Sequence, residues 1–189
     1  MNARVFVLAL GLALAACGST AAPAAADRAA ASAPATAPAP APDLPALTGR
    51  VVDSAALLTP AEKAGIAEDL AALERRTTDQ LVVVTTPSLG GRTIDQYGLA
   101  LGNGWHIGQR GKDNGVLLIV APTERRVRIE VGYGLEAILT NARAQQIIDQ
   151  AILPQFRQGR WYDGITAGTQ EIVATLVAHA DEPRRRRRA

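Results

Sequence analysis

Residues 115–131 read GVLLIVAPTERRVRIEV, and this stretch decides the fold. Gly115–Ala121 is apolar throughout without alternation, the pattern of a strand covered on both faces. Arg126–Val131 alternates strictly between charged and β-branched residues, which predicts a strand with its polar face in solvent. Pro122–Arg125 between them has the length of a hairpin connection.

Upstream, Gln80–Thr86 (QLVVVTT) is a second unalternated apolar run and predicts another strand buried on both faces. Gly90-Gly91 breaks the chain, and Thr93–Trp105 reads as a helix. Further back, Thr59-Pro60-Ala61-Glu62 has capping-box spacing with proline at the first helical position. Ile66, Leu70 and Leu73 then recur at helical spacing to about Arg76. Gly49–Leu58 leads in as a short extended segment that ends in a turn. Downstream, Asn141–Phe156 and Asp163–Val177 read as two closing helices. Helices alternating with buried strands predict an α/β fold, a three-layer sandwich with a small mixed β-sheet flanked by helices on both faces. The predicted domain is residues 47–178, a usual size for one.

Within that domain VVD (51–53), QLVVVTTPSL, WHIGQRGKDNGVLLIVA, RRVRIEVGYGLEAILT and ILPQFRQGRWYDGI occur in this order. Together they resemble the TPM domain, a family of extracytoplasmic domains, over nearly all of 49–176. The resemblance implies a three-layer α/β fold. It also implies kinship with a thylakoid-lumen protein linked to photosystem repair and weak acid phosphatase activity, and with calcium-binding bacterial proteins.

Oxygen-bearing side chains gather at loop ends. Asp113 and Asn114 lie in a glycine-rich loop before a buried strand, Asp53 precedes the first helix, and Glu136 follows Gly132-Tyr133-Gly134. Carboxylates, amide oxygens and loop carbonyls are the hard ligands of Ca²⁺ and similar divalent cations. The expectation is that Asp53, Asp113, Asn114 and Glu136 converge on one such cation. Turn capping by Asp53, turn chemistry at Asp113-Asn114-Gly115 and an exposed helix start at Glu136 account for the same residues without a metal. Family members commonly carry Asp after the Leu-Thr pair, where this chain has Asn141; that residue keeps an N-capping oxygen and loses a charge.

No complete catalytic set is legible. GQRGKDNG (108–115) lacks the Ser or Thr of a phosphate-cradling loop and precedes a strand rather than a helix. There is no GxSxG elbow. Of the two histidines, His106 suits either general acid–base work or packing, and His179 suits capping. Arg92, Arg125 and Arg126 suit either phosphate or solvent, and Trp161-Tyr162 either core or an exposed contact.

The ends of the chain predict location. Residues 1–16 (MNARVFVLALGLALAA) combine an arginine, a short apolar run and a small-residue exit, the parts of a secretory signal. The run is shorter than the roughly 20 residues that span a bilayer. LAAC (14–17) resembles a bacterial lipobox, so Cys17, the only cysteine, is the expected lipidation site. Residues 17–46 predict a semi-stiff disordered tether: from Ala21 to Ala46 they are nearly all Ala and Pro with a few polar residues, too poor in large apolar side chains to order themselves. Residues 179–189 predict an Arg-rich disordered tail; without the run Arg184–Arg188 the net charge of +2 would be −3, so a nucleic-acid partner is not implied.

Two functions follow as expectations. One is a calcium-binding, membrane-tethered envelope module for binding or assembly. It would be lipid-anchored through Cys17, face the periplasm from the outer membrane or lie on the extracellular side, and act with another envelope protein. The other is a metal-assisted acid phosphatase, in which the cation would polarise a phosphoryl oxygen and activate water.

Overall fold

The computed structural model describes residues 44–186, with residues 181–186 described by backbone alone. The expected signal peptide, Cys17 and most of the tether lie outside the described residues.

Four strands, β1 (Val51–Asp53), β2 (Gln80–Thr85), β3 (Gly115–Ala121) and β4 (Arg126–Val131), form one sheet in the order β1-β2-β3-β4. The first three are parallel and β4 is antiparallel to β3. The helices are α1 (Pro60–Thr77), α2 (Ile94–Trp105), α3 (Asn141–Ile147), α4 (Leu153–Phe156) and α5 (Trp161–Arg186).

Alternate residues of the central strands point to opposite faces, as the pleat requires. Leu81, Val83, Val116, Leu118 and Val120 join Ile66, Leu70 and Leu73 of α1, Ile147 of α3 and Ile165 and Ile172 of α5. Val82, Val84, Leu117 and Ile119 join Tyr97 and Leu101 of α2 on the other face. The three-layer α/β sandwich expected from the apolar runs is therefore the observed architecture. Strand order advances one way while α1 and α2 take opposite faces, so the two parallel crossovers have opposite hands, and one departs from the right-handed rule.

Both early helices start at capping boxes, Thr59 with Glu62 and Thr93 with Gln96. The third segment departs from expectation. Asn141–Phe156 is not one regular helix: five residues, Ile148–Ile152, form a π-turn between α3 and α4. Pro154 has no N–H and crowds the carbonyl four residues back, so the ladder must widen there. Thr140, not Asn141, is the N-cap, its hydroxyl accepting from the Arg143 amide. The last helix runs from Trp161 to Arg186, longer than the expected Asp163–Val177. The tether also ends early: Leu44 packs on the α2-side core, and the Trp105 indole donates to the Pro45 carbonyl (3.0 Å).

Beyond the exposed Arg126, the polar face of β4 is not left to solvent. It lies against α2, where Arg128 pairs with Asp95 and, at 2.5 Å, with Glu130. Burial weakens the charged form of Arg128, but these carboxylates outweigh it and hold its pKa above the ordinary value. Gly98 admits this approach, since a Cβ there would press on Glu130 and Ile119.

Glu74 ties three segments together, accepting from Arg50 (2.5 Å) and Gln80 (2.9 Å). The hydrogen bond from Arg50, then that from Gln80, holds its carboxyl below the usual range. A depressed folded pKa gives stability that is present above the unfolded value and lost as pH falls through the folded one. Glu74→Gln is expected to cost about 1 kcal/mol at pH 7, a charge-assisted bond discounted for partial exposure. The deficit against wild type should shrink as pH is lowered through the carboxylate range in urea titrations. A deficit of the same size at pH 3 would contradict this.

Candidate functional site

Two concave surfaces lie at opposite ends of the β3–β4 hairpin. The first is built where the chain enters β3 and leaves β4. Asn114, buried before β3, accepts from the Gln109 amide (2.8 Å) and donates to the Thr78 carbonyl (2.9 Å) and Asp79 (3.1 Å). Gly108 N donates to Gln80 Oε1 (2.8 Å), and Gln80 N to the Asn114 carbonyl (3.0 Å). The loop 107–114 is thus sewn to the start of β2. The segment after β4 lies directly on it: Gly132 N donates to Gly115 O (2.8 Å) and Gly134 N to Asp113 O (3.1 Å). A Cβ on Gly132 would collide with the Asp113 carbonyl, and one on Gly134 with the Lys112 carbonyl. Gly132 and Gly134 of the GYGLE motif therefore let its backbone touch that of the GKDNG loop.

This contact leaves a cleft of about 270 Å³ between the loop, α2 and the end of β4. Asp113, Glu130 and Glu136 line it, beside Leu99 and Tyr133. Leu99 is 59% and Tyr133 83% exposed. Asp113 sits in the left-handed region (φ 47°), as a turn Asp tolerates.

Asp53 does not join them. It ends β1 level with Thr85 and Val120, whereas Asp113 precedes Gly115 at the far end of β3. The five residues from Val120 to Gly115, at about 3.3 Å each, already separate the two ends of the sheet by roughly 17 Å. The Asp53 side chain is 0% exposed. It accepts from Leu57 N (3.0 Å), Leu58 N (3.1 Å) and the Thr85 hydroxyl (2.5 Å), with Lys63 Nζ at 3.9 Å. Donors and an ammonium surround it, so it caps a turn and offers nothing to a cation. The Asn114 side chain is likewise committed to the loop. The four-residue cation site expected from sequence is corrected to two exposed carboxylates, Asp113 and Glu136, on one cleft. Among the described residues no group of three or more His, Cys, Asp or Glu is placed to hold a metal ion. The donor set does not fit a dedicated Ca²⁺ site, which needs six to eight oxygens.

The second surface, about 560 Å³, lies at the other end of the hairpin. Its walls are Val120, Ala121, Val127, Leu153, Phe156 and Trp161, and Arg125, Arg126 and Arg157 stand around it. Trp161 packs on Phe156 (centroids 4.7 Å apart) and joins the edge of the core. His106 is an exposed C-cap of α2 in the left-handed region, lining neither surface.

Sequence reasoning found Asp113 and Glu136 but missed Leu99, Tyr133, Phe156 and Arg157. Tyr133 carried a usable signal: an aromatic between two glycines, on a short turn, has little to bury it.

The family description "TPM domain" matches residues 51–175. The fold is similar to the solution structure of the N-terminal domain of a protein from P. gingivalis. That similarity has 31% identity and TM-score 0.69 and covers 74% of this chain and 92% of that one. It is also similar to BA42 from the psychrophilic Bizionia argentinensis (20% identity, TM-score 0.57, covering 64% and 82%). The N-terminal domain of cg2496 from Corynebacterium glutamicum is a further likeness (16%, TM-score 0.55, covering 68% and 80%). The last two bear on fold alone. A comparison with curated proteins returned no match.

Proposed function

The chain belongs to the TPM-domain family, and from that premise we propose that it is a binding module held at a membrane of the cell envelope through Cys17. One observation carries this reading: Leu99 and Tyr133, two of the most exposed large apolar side chains among the described residues, share a single cleft. Exposed apolar groups gathered in one concavity mark an interaction surface better than scattered ones do. Asp113 and Glu136 beside them give the cleft a negative rim, which suits a basic segment with apolar side chains from another envelope protein. No Arg or Lys is among the residues lining the cleft.

A photo-crosslinking amino acid at position 99 of the full-length chain, expressed in cells, tests the reading. A discrete adduct is expected, lost with Glu136→Lys and absent when the probe replaces exposed Gln170. Cys17→Ser should move the protein from the membrane to the soluble fraction. No adduct at 99, or an adduct indifferent to Glu136→Lys, refutes the cleft as the recognition surface. Membrane retention of Cys17→Ser refutes the lipid tether.

A further inference from the structure

The larger concavity stands apart from the acidic cleft and does not depend on it. Its cationic rim comes from two separate places in the chain. Arg125 and Arg126 belong to the β3–β4 turn and the first residue of β4, and Arg157 follows α4. Among the described residues, none of the three forms a side-chain ion pair, while Arg128 and Arg160, close to them in the sequence, both do. Three guanidinium groups left without counter-charges around one opening repel one another, and an anion placed between them relieves that repulsion. Guanidinium is also the side chain best shaped to grip an oxyanion through paired N–H donors.

The walls add the second half of the specificity. Val120, Val127, Leu153, Phe156 and Trp161 are apolar, and no carboxylate lines the space. A volume of about 560 Å³ falls within the usual range for small-molecule sites. A bare inorganic anion would leave those walls wet and gain nothing from them. We propose that this concavity binds an organic oxyanion: a carboxylate or phosphate head held by Arg125, Arg126 and Arg157, on an apolar body seated against Phe156 and Trp161. The head can belong to a free small molecule or to a lipid, and the arms below separate the two.

The full-length protein, ¹⁵N-labelled, is titrated with 3-phenylpropionate and with phenyl phosphate, following amide shifts. Inorganic phosphate, benzyl alcohol and vesicles containing phosphatidylglycerol are the comparison arms. At least one of the two aromatic anions should move the amides of Arg126, Arg157 and Trp161 with submillimolar Kd. Benzyl alcohol and inorganic phosphate should each bind at least tenfold more weakly. Arg126→Gln and Arg157→Gln, both exposed and outside the hydrophobic core, should each weaken the aromatic anion about tenfold and leave the Tm unchanged. No shift at these amides up to 10 mM of either aromatic anion overturns the proposal. Inorganic phosphate binding as tightly as phenyl phosphate overturns the role of the apolar walls. Vesicle binding that depends on Arg126 and Arg157, without any response to the soluble anions, overturns the small-molecule site in favour of a membrane contact.

Discussion

Gly134→Ala is expected to be among the most damaging single-methyl changes in this chain. Its added Cβ would meet the Lys112 carbonyl oxygen, and main chain on both sides cannot swing away as a flexible side chain would. Gly134 does not sit at positive φ, so the loss would be steric rather than conformational. Relief requires parting the two segments and breaking the Gly134 N to Asp113 O bond (3.1 Å). Overpacking of this kind costs roughly 1–3 kcal/mol, and the lost hydrogen bond about 1 more. A drop of about 3 kcal/mol in urea unfolding is the expected outcome. Gly65→Ala is the matched control. It sits exposed in α1 with nothing near its would-be Cβ, so alanine should stabilise by roughly 0.5–1 kcal/mol. If Gly134→Ala were as harmless as Gly65→Ala, the close contact between loop and strand end would be wrong.

Asp53→Ala should cost as much, for a different reason. Removing the carboxylate leaves the Leu57 and Leu58 amides and the Thr85 hydroxyl without the acceptor that serves them. Buried donors so orphaned, with the charge-assisted bonds lost, are worth roughly 3 kcal/mol in total. For a domain of this size that is a fall in Tm of about 10 °C. The same loss is expected in chelator and in millimolar Ca²⁺, because the carboxylate faces N–H donors and Lys63. A turn cap and a cation ligand part company here. A ligand would show its effect only when calcium stabilises the wild type, as binding to the native state alone requires. A Tm loss confined to calcium-containing buffer would restore Asp53 to a metal site and overturn its assignment as a cap.

Much of the fold was legible because its signals are local. Gly115–Ala121 and Gln80–Thr85 needed no context, since seven and six consecutive strand residues of mostly β-branched or apolar character have no stable place except between two layers. Thr59 and Thr93 announced their helices through the residue three positions on. The glycines of GKDNG and GYGLE were visible too, although not that the two motifs lie on each other.

What the sequence by itself determined was the list of layers: buried strands, amphipathic helices and their starts. Only the tertiary structure decided which residues meet. Asp53 ends a parallel strand and Asp113 precedes one, so they fall at opposite ends of the strands. Reading that from sequence required placing the short extended entry as a parallel strand of the sheet, and three residues of strand carry too little periodicity for that. The face taken by α2, the cover it gives to Arg128 and Glu130, and the gathering of Arg157 with Arg125 and Arg126 were equally hidden. Side-chain periodicity records whether a segment is covered, and which partner covers it is fixed by long-range packing that leaves no local mark.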